Sequence, residues 1–118
     1  MTVIATDLRY SKADRMLHVG FYDGTSASLP AEYLRVESPS AEVQGHGPNE
    51  RRWVAGKRSV GITGLEPVGH YAIRILFDDG HDTGIFSWEY LHKLGREQDR
   101  IWRDYLSALQ ANGLSRDR

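Results

Sequence analysis

The sequence predicts a single α+β domain: an antiparallel β-sheet with C-terminal helices packed on it. Three observations carry that reading. First, Leu17, Val19 and Phe21 alternate with His18, Gly20 and Tyr22, and Tyr71, Ile73, Ile75 and Phe77 alternate with Ala72, Arg74 and Leu76. That period of two belongs to half-buried strands. Second, Asp23-Gly24 and Asp78-Asp79-Gly80-His81 follow these runs at once, and Asp-Gly supplies the positive φ of a tight hairpin turn. Third, Ile101, Trp102, Tyr105, Leu106 and Leu109 recur on one face of a helix.

The remaining elements follow in order. A first strand is expected from Val3 to Tyr10, turning through Lys12-Ala13-Asp14, and a third from Thr25 to Leu29. Pro30 stops the sheet and opens a short helix, Ala31 to Arg35, because its fixed φ suits the first helical position. From Ser38 to Lys57 the chain is polar and broken by Pro39, Gly45, Gly47, Pro48 and Gly56. A loop of this length inside a compact domain is functional or mobile, with one helical turn expected in Ser38 to Glu42. Strand signals return at Val60 and Ile62, which alternate with Gly61 and Thr63, and a last strand starts at Thr83 to Phe86. Ser87 is a good N-cap for a helix from Trp88 to Leu94, with Glu89 in its first turn and Gly95 at its end. A second helix runs from about Glu97 to Ala111, ended by Asn112-Gly113. The core therefore spans about residues 5–111, and residues 112–118 are expected to fray.

Composition bounds the function. The chain has 118 residues, 40% apolar and 26% charged, with a formal net charge of −1 and no cysteine. That length suits one domain with a radius of gyration of roughly 13–14 Å. Without cysteine there is no disulfide, thiolate metal site, Fe–S ligation or thiol nucleophile from this chain. No eighteen-residue apolar window and no signal-peptide pattern is present, so a cytoplasmic setting without membrane contact is expected. Near-neutral charge argues against a dedicated nucleic-acid binder.

Several clusters carry candidate chemistry. Asp82-Thr83-Gly84 is the tripeptide of aspartic proteases, but the wet Asp78-Asp79-Gly80-His81 before it cannot bury the dyad those enzymes need. His81 and Asp82, with His46 or His92, would make a two-histidine, one-carboxylate metal set for iron or zinc. Adjacent strand residues point to opposite faces, however, so one metal is poorly served by both. Arg51, Arg52, Lys57 and Arg58 place four cations around Trp53, a pattern that holds an anion or stacks on a partner. Gly45-His46-Gly47-Pro48 lacks the Gly-Lys-Ser/Thr end of a phosphate loop, and no serine sits in a nucleophile turn. Tyr71, Phe77, Trp88, Tyr90, Trp102 and Tyr105 are assigned to the core, and any left exposed marks a partner surface, a second copy of the chain included.

The stretches 34–47, 56–58, 66–72 and 77–91 together resemble the gamma-butyrobetaine hydroxylase-like N-terminal domain family of small bacterial proteins. The residues that carry the resemblance include Leu34-Arg35-Val36-Glu37, Gly56-Lys57-Arg58, Glu66-Pro67-Val68-Gly69-His70-Tyr71 and Phe77-Asp78-Asp79-Gly80-His81-Asp82-Thr83-Gly84. In carnitine-pathway dioxygenases this domain precedes a jelly-roll catalytic domain that holds iron and 2-oxoglutarate, and none of that domain is in this sequence. The resemblance also implies a structural zinc, held there by three cysteines and a histidine. Those positions fall on Ser38, Ser40, Val43 and His81, so the zinc is expected to be lost and hydroxylase activity absent. A related domain fused to P-loop iron–sulfur carrier ATPases implies a role near cluster assembly. Together these readings make the chain a non-enzymatic interaction or adaptor domain without a resident cofactor. Its partner is another protein, and its contact surface is Arg51, Arg52, Trp53, Lys57 and Arg58 beside the His81-Asp82 turn. The alternatives are a metal-binding protein using His46, His81 and Asp82, or a small anion-binding domain.

Overall fold

The computed structural model describes residues 3–45, 47 and 49–117. His46, one of the candidate metal ligands, lies outside the described residues. Strands β1 (Ala5–Ser11), β2 (Met16–Phe21) and β3 (Ser26–Pro30) form one antiparallel meander, in that order. The chain then passes through helices α1 (Ala31–Val36) and α2 (Ala41–Gln44) and a long loop. A second antiparallel meander follows, β4 (Ile62–Val68), β5 (Ala72–Phe77) and β6 (Ile85–Ser87), before helices α3 (Trp88–Arg96) and α4 (Gln98–Ala111). The fold class is α+β as expected, with the strands divided between two three-stranded sheets.

The alternation read from the sequence explains which faces meet. Leu17, Val19 and Phe21 of β2, with Leu29 of β3, bury one face of the first sheet. Ile73, Ile75 and Phe77 of β5, with Phe86 of β6, bury one face of the second. Both faces join a single apolar cluster with Ala31, Tyr33 and Leu34 of α1 and Leu91 and Leu94 of α3. A polar clip also ties the sheets together, since the Ile62 N–H donates to the Tyr10 hydroxyl at 3.1 Å. A smaller cluster places Val36, Tyr105 and Leu109 against Trp53, Val54 and Ala55, so the long loop is packed on α4. The radius of gyration, 13.9 Å, is that expected for one compact chain of this length. Among the described residues no helix is long and apolar enough to cross a membrane.

Several local expectations change. The turn after β1 extends to Arg15, whose φ of 51° makes it the one non-glycine left-handed residue among the described residues. The second meander's first strand continues through Pro67, opposite Ile73; an edge strand tolerates a residue with no N–H to donate. The turn of helix in the loop starts at Ala41 and runs to Gln44, capped by Ser40, which accepts from the Glu42 N–H. On α4, Leu106 belongs to the solvent side at 38% exposure, whereas Tyr105 is fully buried and donates its hydroxyl proton to the Val54 carbonyl. Tyr71, assigned to the core, is 61% exposed. Within the tail expected to fray, the Ser115 and Arg116 carbonyls accept from the backbone N–H groups of Gly56 and Arg58.

Gly95 is the most informative difference. It does not end α3, which runs on to Arg96, but lets the helix approach β3. A Cβ added at Gly95 would sit 2.6 Å from the Ala27 Cβ, well inside contact distance. The constraint is therefore packing, not backbone conformation. Gly95→Ala is expected to destabilise the fold by about 1–3 kcal/mol. The double change Gly95→Ala with Ala27→Gly is expected to recover most of that in a denaturant melt; an unchanged midpoint for the single variant would mean α3 docks less closely than described.

Candidate functional site

The β5–β6 turn and the Ser38–Gln44 segment meet in a directional hydrogen-bond relay. The ionised Glu42 carboxylate can only accept, so the His81 Nδ1 proton points to Glu42 Oε2 at 3.0 Å. That leaves Nε2 as an acceptor for the Ser38 hydroxyl at 2.9 Å. Ser38 Oγ in turn accepts from the Ser40 N–H at 3.3 Å. Thr83 Oγ1 donates to Glu42 Oε1, and Ser40 Oγ lies 2.8 Å from Thr83 Oγ1. Gly84 makes room for this arrangement: a Cβ there would lie 2.5 Å from Ser38 Oγ. The Asp82-Thr83-Gly84 tripeptide thus works as a docking turn, through Thr83 and Gly84. Asp82 faces the other way, toward Arg74 of β5.

Asp79, from the same turn, is a second anchor. It accepts from Lys57 Nζ at 2.6 Å, from Arg35 Nε at 2.8 Å and from the His81 N–H at 3.0 Å. Burial works against its charge, but these donors outweigh burial and hold the carboxyl well below the usual carboxylate range.

A serine on Nε2 and a carboxylate on Nδ1 of one histidine is the order of a hydrolytic triad, and sequence spacing gave no hint of it. Accessibility runs the wrong way for that chemistry. Ser38, the would-be nucleophile, is 0% exposed, while the Glu42 side chain is 62% exposed. A triad needs its hydroxyl at the mouth of a substrate cleft; here that end is sealed and the acid is wet. The same positions fail as a zinc site. Val43 has no donor atom, Ser38 and Ser40 are neutral hydroxyls already hydrogen-bonded to His81 and Thr83, and the Nε2 lone pair is engaged by Ser38. Zinc takes thiolate, imidazole or carboxylate ligands, and this set does not fit it. The described alternative ligands, His81, Asp82 and His92, do not converge either. Asp82 pairs with Arg74, and His92 lies 3.1 Å from Asp23 at the far hairpin. Among the described residues no three His, Asp or Glu side chains form a metal-holding group.

The basic residues do not make one free patch. Arg51 forms a two-pronged pair with Glu37 at 3.1 and 2.9 Å, and stacks 4.2 Å from the Trp53 ring centre. Lys57 is engaged by Asp79, and Arg58 pairs with Asp117. Arg52 alone of the four is exposed without a salt bridge among the described residues. What the sequence could not reveal is the groove these contacts create. A cavity of about 410 Å³ opens between the loop, α3 and α4, with Gln44, Arg51 and Trp53 on one side and Lys93, Arg100 and Asp104 on the other. Tyr90 closes its floor by donating to the Glu37 carbonyl. Arg100 is held by Glu97 and Asp104, whereas Lys93 makes no salt bridge among the described residues. Only the loop side of this groove was anticipated. Lys93 and Arg100 look like ordinary surface cations until α3 and α4 are folded against the loop.

Two outcomes test the relay. Ser38→Ala leaves His81 Nε2 buried without a donor and is expected to cost about 1–3 kcal/mol in a denaturant melt. Burial, and next the Arg35 charge, push the His81 pKa below its ordinary 6.5, against the opposing pull of Glu42. The unfolded chain therefore binds the proton more readily than the folded one. The stability from the neutral ring is complete above about pH 6.5 and is lost as pH falls through the lowered folded value. His81→Gln is expected to flatten the melting-temperature profile below pH 6.5 relative to the unaltered chain; an identical acid limb would remove His81 as its source.

Comparison with known proteins places the fold in a family. The chain is similar to a protein solved by solution NMR at 47% identity, with 99% of this chain and 92% of that one covered and a TM-score of 0.85. A second NMR structure matches at 43% identity over 98% and 86% of the two chains, with a TM-score of 0.84. A crystal structure from Acidithiobacillus ferrooxidans, described as a protein of unknown function in the DUF971 family, matches at 40% identity over 77% and 91%, with a TM-score of 0.65. No curated protein matches the chain. The family model for the gamma-butyrobetaine hydroxylase-like N-terminal domain matches residues 8–92, which contain both arms of the relay. The chain belongs to the gamma-butyrobetaine hydroxylase-like, N-terminal domain family.

Proposed function

We propose that this chain is a non-catalytic interaction domain, a cytoplasmic adaptor that receives a protein partner in the groove between the loop, α3 and α4. The observation that supports it most is the contrast between two places. The groups able to do chemistry, Ser38 and His81, are closed inside the relay, with 0% and 5% exposure. The concave, accessible surface instead offers recognition groups: Trp53 stacked under Arg51, the amphipathic Lys93 and Arg100, and the Gln44 side chain. Aromatic and arginine anchors of this kind dominate protein interfaces. A resident metal forms no part of this reading, because the donor set at Ser38, Ser40, Val43 and His81 does not suit one.

The groove's pairing decides which variant is informative. Truncating Arg51 would strand the buried Glu37 carboxylate and harm the fold, so the test belongs on the far wall. Lys93→Glu with Arg100→Glu reverses two exposed cations at a folding cost of roughly 1 kcal/mol or less. In cross-linked captures from the native cell, this variant is expected to lose partners that the unaltered chain and an Arg58→Glu control retain. Identical partner lists at matched melting temperature would sink the groove as the contact surface. Metal analysis of protein prepared without chelator or histidine tag checks the other half. Stoichiometric iron or zinc, lost on His81→Ala, would overturn the metal-free reading.

A further inference from the structure

Glu32 is a buried carboxylate that neither the relay nor the groove uses. It sits in the first turn of α1 with its side chain 7% exposed. The Arg116 guanidinium lies on it in a two-pronged contact, Nε to Oε2 at 2.8 Å and Nη2 to Oε1 at 2.6 Å. The same guanidinium is 5.2 Å from the Trp102 ring centre. A cavity of about 240 Å³ adjoins the pair, with Tyr33, Gln98 and Asp99 on its walls. A carboxylate fork beside an aromatic ring favours a planar guanidinium over an ammonium, which cannot pair with the fork through two parallel bonds or stack flat on the ring.

The occupant is delivered by a segment outside the core. Gly113, at φ +66°, turns the chain away from α4, and Leu114 is left 42% exposed. Gly113 and Leu114 still cap α4 through their N–H groups on the Gln110 and Leu109 carbonyls, but beyond them, apart from the Arg116 side chain, residues 115–117 hold on through two backbone bonds, from the Gly56 and Arg58 N–H groups, and the exposed Arg58–Asp117 pair. The two sides of the contact are therefore unequal. Glu32 cannot leave its buried position and strongly needs a cationic partner, while the strap that supplies that partner is shallowly attached.

We propose that Glu32 and Trp102 form a guanidinium-binding socket that Arg116 fills from its own chain, and that an arginine on a partner polypeptide takes in its place. The bound backbone argues for a peptide source. Gly56 and Arg58 donate to the carbonyls of Ser115 and Arg116, contacts that a peptide strand reproduces and free arginine does not. The socket shares no lining residue with the groove, so it stands or falls independently of the adaptor reading.

The test uses the full chain and the pentapeptide Gly-Leu-Ser-Arg-Asp. In the unaltered, isotope-labelled protein, saturating unlabelled peptide is expected to move the Arg116 Nε–H resonance to its solvent-exposed position. In Arg116→Ala, the melting temperature falls and the peptide restores it saturably. The same peptide with alanine for arginine does not, nor does any peptide in Glu32→Gln with Arg116→Ala. Free L-arginine is expected to need roughly tenfold more for equal rescue, because it lacks the backbone bonds. Should Arg116→Ala not fold, the resonance shift in the unaltered chain decides, and an unmoved signal overturns the proposal. Rescue that survives loss of Glu32 also overturns it. Equal potency of free arginine would overturn the peptide assignment.

Discussion

The β5–β6 turn is the constraint on which the rest of this molecule depends. Three of its residues, Asp79, His81 and Asp82, face three different parts of the molecule. Asp79 gathers Arg35 from α1 and Lys57 from the long loop, His81 reaches Ser38 and Glu42, and Asp82 stays with Arg74 of its own sheet. Val43 is the buried apolar residue of α2, and the links from this segment to the β5–β6 turn described above are polar. The later part of the loop is placed by packing on α4, but over residues 38–44 the loop is placed by polar contacts. Such contacts contribute little net stability each, but leaving one unmade is costly. That asymmetry favours one conformation of the loop over its many alternatives.

The arrangement bears directly on chemistry. A histidine between a hydroxyl and a carboxylate is a catalytic constellation when the hydroxyl is open to substrate, and a crosslink when it is not. The same applies to the cations. Four basic residues in a short stretch suggest an anion site, yet pairing Arg51 with Glu37, Lys57 with Asp79 and Arg58 with Asp117 neutralises three of them. The charge that remains available, at Arg52, Lys93 and the paired Arg100, is scattered around recesses rather than focused on one point. That distribution suits recognition of an extended surface better than capture of a small anion.

Much of the secondary structure was legible because its signals are local. The alternation of β2 and β5, the Asp-Gly turns, the Ser87 cap and the face of α4 each depend on neighbours within a few residues. The misreadings share the opposite property. Gly95 resembles a helix terminator until Ala27 is seen beneath it, and Tyr71 resembles core until the β4–β5 turn leaves it outside. Pro67 masks a strand because an edge position, which excuses the missing N–H, is defined only by the pairing of β4 with β5.

By itself, then, the sequence determined the class of fold, the absence of thiol chemistry and, through its resemblance and the replaced cysteine positions, the absence of a cysteine-based zinc site. Tertiary structure alone decided what stands in that place, because Ser38 and His81 are 43 residues apart and their meeting depends on how two sheets and a loop close. It also decided that the basic cluster is largely spent on internal pairs and that a groove opens beside α3 and α4. The socket at Glu32 belongs to the same category, since its ligand comes from 84 residues away along the chain. Local patterns set where strands and helices form; burial and partner choice are properties of the assembled surface, which no short window of sequence contains.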